Sequence, residues 1–444
     1  MPPSSVRIRS RTAIPCLFAL LFPMACRAQS LHEMVLTALA HYPSITSARY
    51  KTDAAKADIS RARGAHWPQL SWSGTYNDYR SNLLSDRWIQ TPVLNLNIWS
   101  GGRIQSDVER AESLTQAAQQ QEFLTRDDVA LISSEAYLQW AHQKRMLVLA
   151  QENLKAHEKI LNDFRLISQV DTGRLIDLNQ AQVRYDNAQL VLIRIETDLR
   201  TAAERVARLL MAPGPVEPSG LDLIPVIPYT SLDQAQADIN DQLPAIARLL
   251  AQCEAAQASV RYAQSQSALT VNLSHSKTII PGISQNLYVT QLQLNLPLID
   301  GGTARGAVEV AQANLQSLQA DLAETRVLLN EQLTAAWINW QLSQQRTELG
   351  HSQARTAQDL ARGYEQQFRA GRRSLLELLN MQSDLYLYQS NAATALHESR
   401  LSQVRILASL GQLAKAYTAK PVTMTSLGPE VDASGAPHLS TLSE

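Results

Sequence analysis

The chain has 444 residues, 45% of them hydrophobic, with 40 basic and 41 acidic side chains and a formal net charge of −1. That balance argues against a nucleic-acid partner, whose phosphates demand concentrated Lys and Arg. Two of the three cysteines, Cys16 and Cys26, lie in the first 28 residues, so Cys253 is expected to stand alone as a buried small hydrophobe.

Residues 1–28 read as a secretory signal peptide. Arg7, Arg9 and Arg11 form its basic start, Ala13 to Ala25 its apolar core, and Cys26-Arg27-Ala28 a small-x-small cleavage site. The core is too short to span a bilayer, which needs about 20 residues. A lipid-bearing Cys26 is the alternative, and Pro23-Met24-Ala25 matches a lipoprotein signal poorly. Cleavage after Ala28 removes four arginines and no acids, leaving an exported chain of net charge −5. No later stretch reaches 18 uninterrupted apolar residues, so any membrane would be entered by strands.

The rest reads as one plan used twice, over 29–212 and 231–417. A Pro-rich connector at 213–230 separates the copies, and a tail at 418–444 is expected to be disordered. The first copy opens with helices over Leu31 to His41 and Ser44 to about Ala65. The second opens with Leu232 to Asp241 and Ala245 to about Ala263. Each leads to two runs of period-two alternation. Leu70, Trp72, Gly74 and Tyr76 alternate with small polar residues, as do Leu94, Leu96 and Ile98. Leu269, Val271 and Leu273, then Leu292, Leu294 and Leu296, repeat the pattern. Apolar on one face and neutral polar on the other suits a membrane-barrel strand, and equally a soluble sandwich.

Both strand pairs end in glycines, Gly101-Gly102 and Gly301-Gly302, which suit a sharp strand-to-helix turn. Proline-free helices follow, from Arg103 to about Gln169 and from Thr303 to about Ala370. At 1.5 Å per residue each reaches on the order of 100 Å. Gly173 and Gly371 break them, and return helices run from Leu175 to about Met211 and from Ser374 to about Lys415. Neither GxGxxG nor a phosphate loop occurs, so no enzyme activity and no cofactor is expected. The histidines show no metal-ligand spacing and read as surface or interface residues.

The expected fold is therefore mainly α with a small β part: duplicated long helical hairpins and four strands per chain. Four strands cannot close a membrane barrel, for which about eight is the minimum, and open edges are excluded from lipid. Three copies would supply twelve strands.

This order of helix, strand pair, Gly-Gly, long helix, glycine tip and return helix resembles the TolC-type outer-membrane channel family. The strongest local match is Gly371-Arg372-Arg373-Ser374-Leu375-Leu376-Glu377-Leu378-Leu379, echoed at Gly173 to Leu178. The resemblance implies a homotrimer with a twelve-stranded barrel in the outer membrane of a Gram-negative bacterium. It also implies a periplasmic helical tunnel, a periplasmic adaptor (membrane fusion protein) and an inner-membrane transporter. It places Asp177, Phe368, Arg373, Glu377 and Asn380 at the periplasmic gate. An Arg373–Asp177 pair would hold the hairpins together, Glu377 would form the main acidic ring, and Asn380 stands where a second acid is common. Gly173, Arg174, Gly371, Arg372, Ser374 and Leu375 fall at the adaptor-docking tips. Phe368, which lacks a phenolic donor, and Asn380 imply a looser lock and a less cation-attracting entrance.

Gln367-Phe368 and Arg373-Ser374-Leu375-Leu376 are most similar to the type I protein-secretion branch, with an ABC transporter as inner-membrane partner. The alternative on the same fold is a drug or metal efflux channel fed by an RND or MFS pump. A periplasmic adaptor or a structural coiled coil is the reading from another class; two complete copies and four amphipathic strands argue against both.

Overall fold

A computed structural model describes residues 30–78, 87–212, 223–280, 287–419 and 424–426. The expected signal, with Cys16 and Cys26, lies outside these residues, as does 427–444.

The first copy runs α1 (Leu31–His41), α2 (Pro43–Gly64), β1 (Gln69–Asn77), β2 (Arg87–Trp99), α3 (Arg103–Val170) and α4 (Leu175–Leu209). After β3 (Leu223–Pro225), the second runs α5 (Leu232–Ala237), α6 (Pro244–Gln264), β4 (Thr270–Thr278), β5 (Leu287–Asn295), α7 (Thr303–Arg369) and α8 (Leu375–Ser409). A last helix, α9 (Leu413–Thr418), and strand β6 (Met424–Ser426) follow.

Local chemistry sets these boundaries. Ser30 and Glu33 close a capping box on α1. Pro43 and Pro244 open α2 and α6, where a missing N–H costs nothing. The glycine pairs turn strand into helix at φ of 63° and 88° in the first copy and 65° and 88° in the second. At Gly101 a Cβ would fall 2.3 Å from that of Ala268, so this turn excludes a side chain twice over. The helices beyond are capped by different groups in one geometry. Ser100 Oγ accepts from the Ile104 N–H at 3.3 Å, whereas Asp300 accepts from Ala304 at 2.7 Å and Gly302 at 2.9 Å. Those amides hold the Asp300 carboxyl below its ordinary range.

The sheet is antiparallel throughout, in the order β1-β2-β4-β5. Both outer edges are unpaired among the described residues. Register brings Leu70 opposite Leu94, Leu96 opposite Leu273, and Leu273 opposite Leu292, so one face is apolar across all four strands. The other carries Asn95, Asn97, Asn272 and Gln293, with an Asn97–Asn272 amide bond at 2.7 Å.

Near the sheet α3 is flanked by α2 and α6, through Arg63–Glu112 at 2.5 Å and Arg261–Glu109 at 2.7 Å. Farther along it meets α4 and α8, while α7 pairs with α8. Small residues permit close contact: a Cβ on Gly350 of α7 would lie 3.2 Å from the Ala392 Cα of α8. The largest core sits midway. Leu31, Met34 and Val35 of α1 pack there against Tyr137 and Leu138 of α3, Val206 of α4, Val404 and Leu407 of α8, and Leu413 and Tyr417 of α9. Cys253 is free and buried on α6. No described helix is long and apolar enough to cross a membrane.

Three expectations are corrected. The return helix of the second copy ends at Ser409, not near Lys415, because Gly411 at φ 61° turns the chain before α9. The helix expected to reach Asp241 stops at Ala237, where Asn240 Oδ1 caps the Gln242 N–H in a turn. The tail is not irregular from Thr418: that residue completes α9, and Met424–Ser426 pairs with Leu223–Pro225 inside the expected connector. Prolines rule out helix at the connector but permit an edge strand.

Candidate functional site: the hairpin tips and the strand sheet

The tips close by two different local devices. In the first, Asp171 accepts from the Gly173 N–H at 2.9 Å, and a single 3-10 turn over Thr172–Arg174 leads into α4. Gly173 does not adopt positive φ, so the glycine-break reading holds only for the second tip. There Gly371 turns at φ 72°. Ser374 then caps α8 in a box with Glu377: Ser374 N–H donates to Glu377 Oε2 at 3.0 Å, and Glu377 N–H to Ser374 Oγ at 3.3 Å.

Arg373 is held within its own hairpin. It donates to Glu377 Oε1 at 2.7 Å and Gln367 Oε1 at 2.9 Å, and its guanidinium lies 4.3 Å from the Tyr364 ring centroid. The Ser374 amide, then Arg373, holds the Glu377 carboxyl below its ordinary range. Asp177 pairs with Arg174 at 3.0 Å. Arg373 and Asp177 are thus not brought together within the chain; each has a nearer partner three or four residues away. Asn380 accepts from Arg184 at 3.1 Å, which links α8 to α4.

The tips pack on one another. Leu375, Leu378 and Leu379 of the second bury against Ile160, Leu161 and Phe164 of α3 and Ala181 of α4. Phe368 stands 5.7 Å from Phe164, ring to ring, so it supplies packing in place of a hydrogen bond. Lys159–Glu365 at 2.6 Å ties α3 to α7 and keeps the Glu365 carboxyl low. Tyr364, Lys159, Glu365 and Arg184 were not singled out from sequence. Their partners lie across a turn or about 200 residues away, beyond any spacing rule.

Two features face outward. Leu166, Val170 (92% exposed), Ile176 (71% exposed) and Leu376 are apolar side chains exposed near the tips. Asp171, Asp177, Glu365 and Glu377 all have basic partners, whereas Arg372 has no carboxylate partner among the described residues.

Of the histidines read as surface or interface residues, His157 is corrected, whereas His142 and His397 fall at a helix interface. His157 is buried, with Nδ1 unpartnered, and burial, helped by the Arg184 charge, pushes its pKa down to about 4. His142 and His397 stack at 4.7 Å between α3 and α8, and burial lowers both, His397 to about 4. Among the described residues no cluster of His, Cys, Asp or Glu suits a metal.

At the opposite end, Trp72, Trp88, Leu94, Ile98, Leu292 and Leu294 are exposed on an apolar sheet face. A monomer in water does not leave such a patch uncovered.

The profile of the family described as outer membrane efflux protein matches residues 35–211 and 235–412, one segment per structural copy. Protein CyaE of Bordetella pertussis is 23% identical over 409 residues, spanning 87% of this chain and 85% of its own. Outer membrane efflux protein BepC of Brucella suis is 21% identical, over 88% and 87%. Among solved structures, the Campylobacter jejuni CmeC outer membrane channel superposes with a TM-score of 0.76 at 13% identity, covering 92% of this chain and 94% of that one. A CusC structure gives 0.75 at 15%, covering 91% and 98%.

Proposed function

Since the chain belongs to the outer membrane efflux protein family, we propose that it is the outer-membrane exit channel of a tripartite export machine, and most specifically of type I protein secretion. Three copies join β5 of one chain to β1 of the next in a twelve-stranded barrel, which removes every strand edge from lipid. The helical hairpins then form a tunnel through the periplasm. The observation that carries this reading is the pairing of an edge-open sheet, apolar on one face, with helices of 68 and 67 residues that end in latched tips.

In this reading the chain conducts passively. An ABC transporter supplies the energy, and a periplasmic adaptor docks on the tips, where Val170, Ile176 and Leu376 offer apolar surface and Arg372 a charge with no carboxylate partner among the described residues. Glu377 and Asn380 line the entrance. Because Glu377 is bound to Arg373 and Asn380 is neutral, the entrance attracts cations weakly. Opening requires the tips to part at the Leu375–Leu379 cluster, and the adaptor stabilises that state. The second reading, a drug or metal efflux channel, is favoured by the similarity to BepC.

A deletion strain compared with its parent separates the two. Loss of one or a few large proteins from the culture supernatant, with unchanged susceptibility to dyes, detergents and metals, is the expected result. An intact secretome with raised susceptibility would sink the secretion reading in favour of efflux.

A further inference from the structure

Two titratable side chains interrupt the apolar face of the sheet. Period-two alternation from Leu273 puts His275 and Lys277 of β4 on that face, next to the end remote from the helices. The rest of the rim is aromatic: Tyr76 lies opposite Trp88, their rings 5.4 Å apart, and Tyr288 lies opposite Lys277. The Lys277 Nζ stands 5.3 Å from the Tyr288 ring centroid, and the His275 imidazole lies 6.2 Å from the same ring. His275 Nδ1 shares a 2.8 Å hydrogen bond with Thr290 Oγ1, which leaves Nε2 for another partner. Lys277 has no carboxylate partner among the described residues.

A tyrosine ring steadies an ammonium but brings no countercharge. A lysine one residue from the end of a lipid-facing strand reaches the headgroup level, where the available anion is phosphate. We propose that Lys277, His275 and Tyr288 form a binding site for the phosphate of an outer-leaflet lipid, namely the phosphorylated glucosamine of lipid A. The ammonium supplies charge, the imidazole Nε2 and tyrosine hydroxyl supply hydrogen bonds, and Leu273 and Leu292 below meet the acyl chains. Three copies give each trimer three sites. This rests on the channel reading, which turns this face to lipid.

The test uses the full-length trimer in nanodiscs of phosphatidylcholine alone, with added phosphatidylglycerol, or with added lipid A. Retained lipid is counted by native mass spectrometry. Wild type is expected to retain lipid A in preference to phosphatidylglycerol. Lys277→Ala and His275→Ala are expected to lower retention about tenfold each, the scale of one lost charge-assisted hydrogen bond. Lys277→Arg should preserve it, and the heat resistance of the trimer should be unchanged in all. Equal retention by wild type and Lys277→Ala overturns the site, and equal retention of phosphatidylglycerol overturns the lipid A assignment. Failure of the wild type to enter any disc as a trimer overturns the channel reading and the site with it.

Discussion

Asp127 is a buried carboxyl on α3. It accepts from the Ala414 N–H at 2.8 Å in the core belt, and burial lifts its pKa to about 6. A carboxyl raised in the folded state binds its proton more tightly there, so its contribution to stability is complete below the unfolded value and is lost as pH rises through about 6. Asp127→Asn keeps an acceptor for Ala414 and removes the buried charge. The variant should melt above wild type at pH 7.5, by the equivalent of about 1–3 kcal/mol, and converge with it near pH 4. His157 works in the opposite sense. Its depressed pKa means stability falls as pH drops from the ordinary histidine range through about 4, so His157→Gln should flatten the acid limb of a melting-temperature profile. At the second tip, Arg373→Ala removes the contacts to Glu377, Gln367 and Tyr364 at once. Higher single-channel conductance in planar bilayers is expected, with an unchanged trimer. Of these partners only Glu377, four residues after Arg373, was legible from spacing. Sequence shows which side chains carry charge, but Arg373 finds Tyr364 only after Gly371 has reversed the chain.

At the scale of elements most of the fold was legible, because its punctuation is covalent. Pro43, Pro244 and the two glycine pairs fix helix starts whatever packs around them, and α3 and α7 end within a residue of where Gly173 and Gly371 imply. What escaped was set by tertiary contact: the break at Gly411 lets α9 fold back into the belt, and β6 pairs with a strand some 200 residues earlier. The tips also show that two glycines in like places do different work. Gly371→Ala forces a side chain into the left-handed region and should lower local stability by about 1–2 kcal/mol. Gly173→Ala meets only the end of the Asp171 side chain, at 3.1 Å, which can give by a few tenths of an ångström, and should change little. Hydrogen exchange at the two tips reads the difference directly: faster exchange in the first variant, none in the second.

For the whole molecule, the edges of the sheet define the assembly. β1 and β5 lie at opposite sides of a four-stranded sheet, so they cannot meet within one chain. Cysteines scanned in pairs along β1 and β5, in a background with Cys253 replaced, should crosslink only between chains and give a covalent trimer in some registers. Crosslinked dimers alone, or none in any register, would sink the closed ring.

The central belt joins the start of the described chain to its end, α1 against α9, with Tyr417 fully buried and its hydroxyl 3.0 Å from Ser134. Contacts of such sequence separation form slowly, because nearly the whole chain must be gathered before they reward its ordering. A chain exported from its N-terminus therefore cannot complete its middle until its last helix has followed. Until then α1, with Leu31, Met34 and Val35, rests on α3 and α4 without α8 and α9, and the unfinished chain shows part of its apolar core to whatever escorts it across the periplasm. A truncation before Leu413 should thus be lost to proteolysis in transit, before any question of conductance arises.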